Sequence, residues 1–142
     1  MSNSKPEWSS YFRSRKSDLF LDVDTNKPIL SKNTNNWKFI KHGSIHKVEP
    51  YSFEAIYHER LSKFLAIDKN DVVLIDSPFL WIISDFGGPT GYPEYNNPMN
   101  VEIFYSEKID LTERRYLIEG LKNSLSLTTN NPNDKQWVIL TA

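Results

Sequence analysis

Two short apolar runs separated by a tight break constrain this chain most. The first is Asp71-Val72-Val73-Leu74-Ile75-Asp76, and the second is Phe79-Leu80-Trp81-Ile82-Ile83-Ser84-Asp85-Phe86, with Ser77-Pro78 between them. Each is too short for a helix, rich in β-branched and aromatic residues, and bounded by turn residues, so both read as buried strands. A third strand, Val101 to Tyr105, follows a long loop at 87–98 that is rich in Gly, Pro, Asn and Tyr. Loops of that length in a small domain commonly carry function.

Other segments read less uniformly. Leu19 to Val23, Trp37 to Lys41, Ile45 to Val48 and Trp137 to Leu140 have strand composition, and Gly43 suits a hairpin turn joining 37–41 to 45–48. Phe53, Ile56, Tyr57, Arg60, Leu61, Phe64 and Leu65 recur at helical spacing after Pro50, with Ser52 as an N-cap, so the pattern predicts a helix. Trp8, Tyr11 and Phe12 suggest a short first helix over 7–16. Leu111, Ile118, Leu121 and Leu125 suggest another, from Asp110 or Thr112 to Leu125 and weakened by Gly120. No internal repeat is apparent at this level. The expected fold is α+β: one domain over 1–142, with a largely antiparallel sheet of about five to six strands and two or three helices packed on it.

Charge supplies the functional clue. Residues 1–50 hold nine Lys/Arg against five Asp/Glu, a balance of +4. Residues 51–142 hold eight against thirteen, a balance of −5, and the two sum to the net −1. Between Asn70 and Glu107 there is no Lys, Arg or His, yet there are six acids: Asp71, Asp76, Asp85, Glu94, Glu102 and Glu107. Carboxylates interleaved with tyrosines can steer a basic protein and then hold it, because phenol rings bury area while their hydroxyls stay satisfied. The residues expected to carry partner contact are Asp85, Tyr92, Glu94 and Tyr95, with Glu102 and Glu107 adding field.

Several chemistries find little footing. With no cysteine there is no disulfide, thiolate or Cys-based zinc site. Asp22-Val23-Asp24 after an apolar strand resembles the first motif of the haloacid dehalogenase-like phosphatases. Asn26 stands where that motif has Thr or Val, however, and a solvated turn explains the residues better. Gly87-Gly88-Pro89-Thr90-Gly91 leads into Tyr-Pro-Glu-Tyr, not into a helix with a Lys, and nearby acids would repel phosphate. His42, His46 and His58 show no metal-ligand spacing. Arg13, Arg15 and Lys16 beside Tyr11 and Phe12 are a small footprint for nucleic acid and fit a solvated element end. No metal, cofactor, membrane or direct nucleic-acid contact is expected. The first twenty residues contain no apolar signal-peptide core, which makes the cytoplasm the default location.

In size, composition and the acid-and-tyrosine run from Asp85 to Glu107, the chain resembles the immunity proteins of bacterial toxin systems, including contact-dependent growth inhibition. The resemblance implies stoichiometric inhibition of a cognate toxin domain, such as a nuclease with a basic cleft, and no enzymatic activity. Two alternatives stand beside it. One is a small hydrolase or transferase using His58 with Asp76 or Asp85 as acid and base. The other is a phage or accessory structural protein that works by self-assembly.

Overall fold

The computed structural model describes residues 7–41, 51–84, 99–108, 110–132 and 134–141. Among the described residues twelve strands form one antiparallel system: β1 (Glu7–Ser14), β2 (Phe20–Asp24), β3 (Lys27–Ser31), β4 (Trp37–Lys41), β5 (Tyr51–His58), β6 (Lys63–Asp68), β7 (Asp71–Ile75), β8 (Leu80–Ser84), β9 (Met99–Ser106), β10 (Arg114–Glu119), β11 (Leu125–Thr128) and β12 (Trp137–Thr141). The pairing closes on itself. β1 pairs with β4, β4 with β5, β5 with β8, β8 with β9, β9 with β12, and β12 again with β1. Closure removes the exposed edges that a flat sheet would leave. The other six strands form three hairpins, β2–β3, β6–β7 and β10–β11, whose strands touch one another over one end of the barrel.

The same four-strand unit therefore occurs three times, in the strand plan called a β-trefoil. Residues 20–26 (Phe-Leu-Asp-Val-Asp-Thr-Asn) and 64–70 (Phe-Leu-Ala-Ile-Asp-Lys-Asn) align without a gap, and so do Trp37 and Trp81. Backbone geometry repeats with them. Asp18 and Ser62 take φ of 63° and 55°, and Thr25 and Lys69 take 60° and 58°, so the turns before and inside the hairpins are alike. Four sets of three buried side chains fill the centre: Trp37, Trp81 and Trp137; Leu21, Leu65 and Leu117; Phe12, Ile56 and Ile103; Phe39, Ile83 and Ile139.

Each tryptophan pins a hairpin to the barrel through the same bond. The indole N–H of Trp37 donates to the Leu21 carbonyl at 3.0 Å, that of Trp81 to Leu65 at 2.8 Å, and that of Trp137 to Leu117 at 2.8 Å. A buried indole needs a partner for its N–H, and the leucine carbonyl supplies one at each site.

The α+β expectation is thereby corrected: among the described residues there is no α-helix, and the one helical turn is the 3-10 turn Leu121–Asn123. The segment expected as a helix after Pro50 is β5, a turn and β6. Ser62 N–H bonds to the Glu59 carbonyl at 3.2 Å and reverses the chain. A helical stripe emerged because β5 is covered on both faces. Ile56 faces the main core, while Phe53 packs on a second cluster of Ile82, Phe104, Leu111 and Tyr116 outside the barrel. Alternation vanishes when both faces are apolar. The expected helix over 110–125 is β10 and β11 around the 3-10 turn, and the first expected helix is β1. The strand β4 pairs with β1 and β5, while the expected strand at 45–48 lies outside the described residues. Residues 71–75, 80–84, 99–106 and 137–141 are strands, as the sequence suggested. No helix among the described residues is long and apolar enough to cross a membrane.

Candidate functional site

Strand register decides which of the expected contact residues can act together. Ser84 pairs with Glu102 across β8 and β9, so β8 ends and β9 begins at the barrel end opposite the three hairpins. Asp85, Tyr92, Glu94 and Tyr95 lie in that stretch and outside the described residues. Glu102 sits half-buried midway along β9, opposite Ser84. Glu107 is exposed just past its end, about 17 Å farther along at roughly 3.4 Å per residue. The two are thus not neighbours, and a single patch does not gather all six acids. Asp76 is held by the Lys63 ammonium, which neutralises part of the expected field. Asp71 opens β7 opposite Asp68 on a hairpin.

Positions 14, 58 and 105 are equivalent in the three units, each level with a tryptophan of the neighbouring unit. Ser14 pairs with Trp137 and His58 with Trp37, and the Ile82–Phe104 pair places Trp81 beside Tyr105. Sequence change has given this one place three chemistries. Ser14 donates to Glu119 Oε1 at 2.6 Å, an acceptor shared with Ser17 at 2.5 Å. Tyr105 stacks on Phe79, with centroids 4.8 Å apart.

His58 anchors a longer polar chain. Leu61 N–H donates to His58 Nδ1 at 3.3 Å, so Nε2 carries the proton and donates to Asn35 Oδ1 at 3.1 Å. Asn35 Nδ2 donates in turn to Asp22 Oδ1. Asp22 also accepts from Val23 N–H at 2.7 Å and from the Ser31 hydroxyl at 2.6 Å. The imidazole is 2% exposed and lies edge-on to Trp37 at 4.9 Å. Burial holds its pKa below the usual 6.5; Arg60 adds to the depression and Asp22 opposes it.

The Asn35 and His58 end of this chain borders a cleft of about 540 Å³ that Tyr11 and Lys38 also line. It has the outline of an acid–base relay but lacks a free basic site, since both ring nitrogens are engaged inside the fold. Its consequence is mechanical: it ties β5 to the β2–β3 hairpin. Asp76 is bound by Lys63 and Asp85 lies outside the described residues, so the acid–base couple considered for His58 with either is not assembled among the described residues. Among those residues there is also no group of three His, Asp or Glu able to hold a metal ion.

A second cleft, of about 850 Å³, opens at the third equivalent place. Ile67, Phe79 and Tyr105 give it an apolar wall, and Lys69, Arg115 and Glu107 bring charge. Arg115 lies over the Tyr105 ring at 5.6 Å and donates from Nη1 to the Lys69 carbonyl at 2.7 Å. Sequence reading singled out Glu107 but not Lys69 or Arg115. For Lys69 the signal was the repeat, since it falls at the turn position of Thr25, where a short side chain becomes a long cation; nothing along the chain marked Arg115. No protein-family model, curated protein or solved structure matches the chain.

Proposed function

We propose that this chain is an immunity-type inhibitor that acts in the cytoplasm by binding a cognate, basic bacterial toxin domain. The observation that carries the reading is the absence of any cation from Asn70 to Glu107 in a stretch with six acids and interspersed tyrosines. The barrel adds a physical reason. A closed sheet with three pinned hairpins is a stiff mount, and residues 85–98 join two of its adjacent strands. Binding loops on rigid scaffolds lose less conformational freedom on association. Asp85, Tyr92, Glu94 and Tyr95 make the contact in this reading, and Glu102 lies at the root of the same stretch. Glu107 contributes only at long range, and Asp76 is discounted by its Lys63 partner. The engaged state of His58 favours recognition over acid–base catalysis.

The test uses a toxin domain encoded directly beside this chain's gene. Co-expression should rescue growth, and the purified pair should associate faster at low salt than at high salt. Asp85→Lys with Glu94→Lys should slow association by about tenfold or more at low salt and change dissociation less. A neighbouring product that is harmless or unbound, or an association rate indifferent to the double reversal, refutes the reading.

A further inference from the structure

The cleft at Tyr105 differs in kind from its two equivalents. At Ser14 and at His58 the side chains satisfy one another, through Glu119 in one case and through Asn35 and Asp22 in the other, and the cleft beside His58 is smaller, about 540 Å³. At Tyr105 the polar tie is gone. Phe79 stands where Asn35 stands two residues before its tryptophan, and the space opens to about 850 Å³. That volume is within the range of small-molecule sites.

Two cationic residues from separate hairpins line this opening. Lys69 sits in the turn between β6 and β7 with φ of 58°, and Arg115 of β10 bonds its carbonyl at 2.7 Å. That bond fixes the Arg115 guanidinium beside the lysine backbone, while the Tyr105 ring supports it from below at 5.6 Å. Arg115 spends one of its five N–H donors there. Among the described residues neither Lys69 nor Arg115 has a carboxylate partner, whereas the nearby Glu113 is paired with Lys108 at 3.5 Å. Lys69, Arg114 and Arg115 line the cleft against Glu107 and Glu113, so cations exceed carboxylates there and an anion offsets the excess. A guanidinium fork matches the paired oxygens of phosphate or carboxylate, an ammonium adds a point charge, and an aromatic wall suits a flat apolar body.

We propose that this cleft binds a small organic anion: a flat ring bearing a phosphate or a carboxylate. Lys69 and Arg115 take the anionic end, Phe79, Tyr105 and Ile67 take the ring, and Glu107 is placed to accept a hydrogen bond from a polar substituent on it. The site does not involve Asp85, Tyr92, Glu94 or Tyr95: it lies at the hairpin end of β9, whereas β8 ends with Ser84 at the other end, and Glu107 alone belongs to both readings.

The experiment is calorimetric titration of the full chain with phenyl phosphate, benzoate, adenosine monophosphate and inorganic phosphate. At least one ring-bearing anion should bind about tenfold or more tighter than inorganic phosphate. Lys69→Gln and Arg115→Gln should each weaken it by about tenfold, and Arg115→Lys by less than Arg115→Gln. Unchanged urea midpoints would show that the variants remain folded. A preference for phenyl phosphate over benzoate assigns the site to phosphates, and the reverse preference assigns it to carboxylates; either supports the proposal. No binding by any ring-bearing probe at millimolar concentration overturns it. So does equal binding of inorganic phosphate, or affinity untouched by both glutamine substitutions.

Discussion

Replacing each pinning tryptophan in turn by phenylalanine tests the threefold architecture directly. Trp37, Trp81 and Trp137 are all fully buried, and each donates one indole hydrogen bond to a leucine carbonyl of its hairpin. Phenylalanine keeps an aromatic ring but loses the N–H and the volume of the second ring. The orphaned buried carbonyl costs about 1–3 kcal/mol. The residual cavity adds roughly 1–2 kcal/mol, because neighbouring side chains collapse only in part. The expected loss is therefore about 3 kcal/mol at each site, or a drop in Tm of about 10 °C for a chain this size. Urea unfolding, followed by fluorescence of the remaining tryptophans and by circular dichroism, would measure it; an unchanged slope would show that compactness is preserved. The three variants should agree within about 1 kcal/mol, since the three environments are built alike. If any one unfolds within about 0.5 kcal/mol of the parent chain, that indole bond is not a pin. The equivalence of the three units would then be a matter of strand pairing alone.

Two further outcomes follow from particular residues. His58 is held neutral by burial and by the Leu61 N–H on its Nδ1, so the unfolded chain takes up a proton near pH 6.5 that the folded chain resists. Stability from this group is fully present above that value and is lost as pH falls through the lowered folded pKa; urea midpoints should drop between neutral and mildly acidic pH. His58→Asn should flatten that part of the profile, and an equally steep fall in the variant would place its source elsewhere. Gly120→Ala would set a methyl 2.7 Å from Ser124 Oγ and 3.1 Å from Ser126 Cβ, pushing the Ser124 hydroxyl off the Leu121 carbonyl it now meets at 2.6 Å. A loss of about 1–2 kcal/mol in thermal unfolding is expected, and an unchanged Tm would mean that the turn yields freely.

Local sequence was enough to locate several strands and to show the polarity of charge. Val72 to Ile75, Leu80 to Ser84 and Val101 to Tyr105 are short, apolar and bounded by turn residues, and nothing but a strand suits them. The repeat, not apparent from local patterns, lies in Phe20 to Asn26 against Phe64 to Asn70 and in Trp37 against Trp81, segments whose equivalence the fold identified. Its third copy is blurred where Glu119 to Asn123 replaces a simple hairpin turn.

What needed the folded chain was everything that depends on which strand lies beside which. A barrel strand with a second apolar cluster outside it loses its alternation, so β5, read on into β6, imitates a helix until its partners are known. The same holds for the sites. No spacing along the chain announces that His58 meets Asn35 and Asp22, or that Arg115 meets the Lys69 carbonyl, because strand pairing brings each group together from separate units. Composition set the field and the strands. Pairing register, which turns a common position into a serine tie, a buried imidazole and an open aromatic cleft, set what each place can bind.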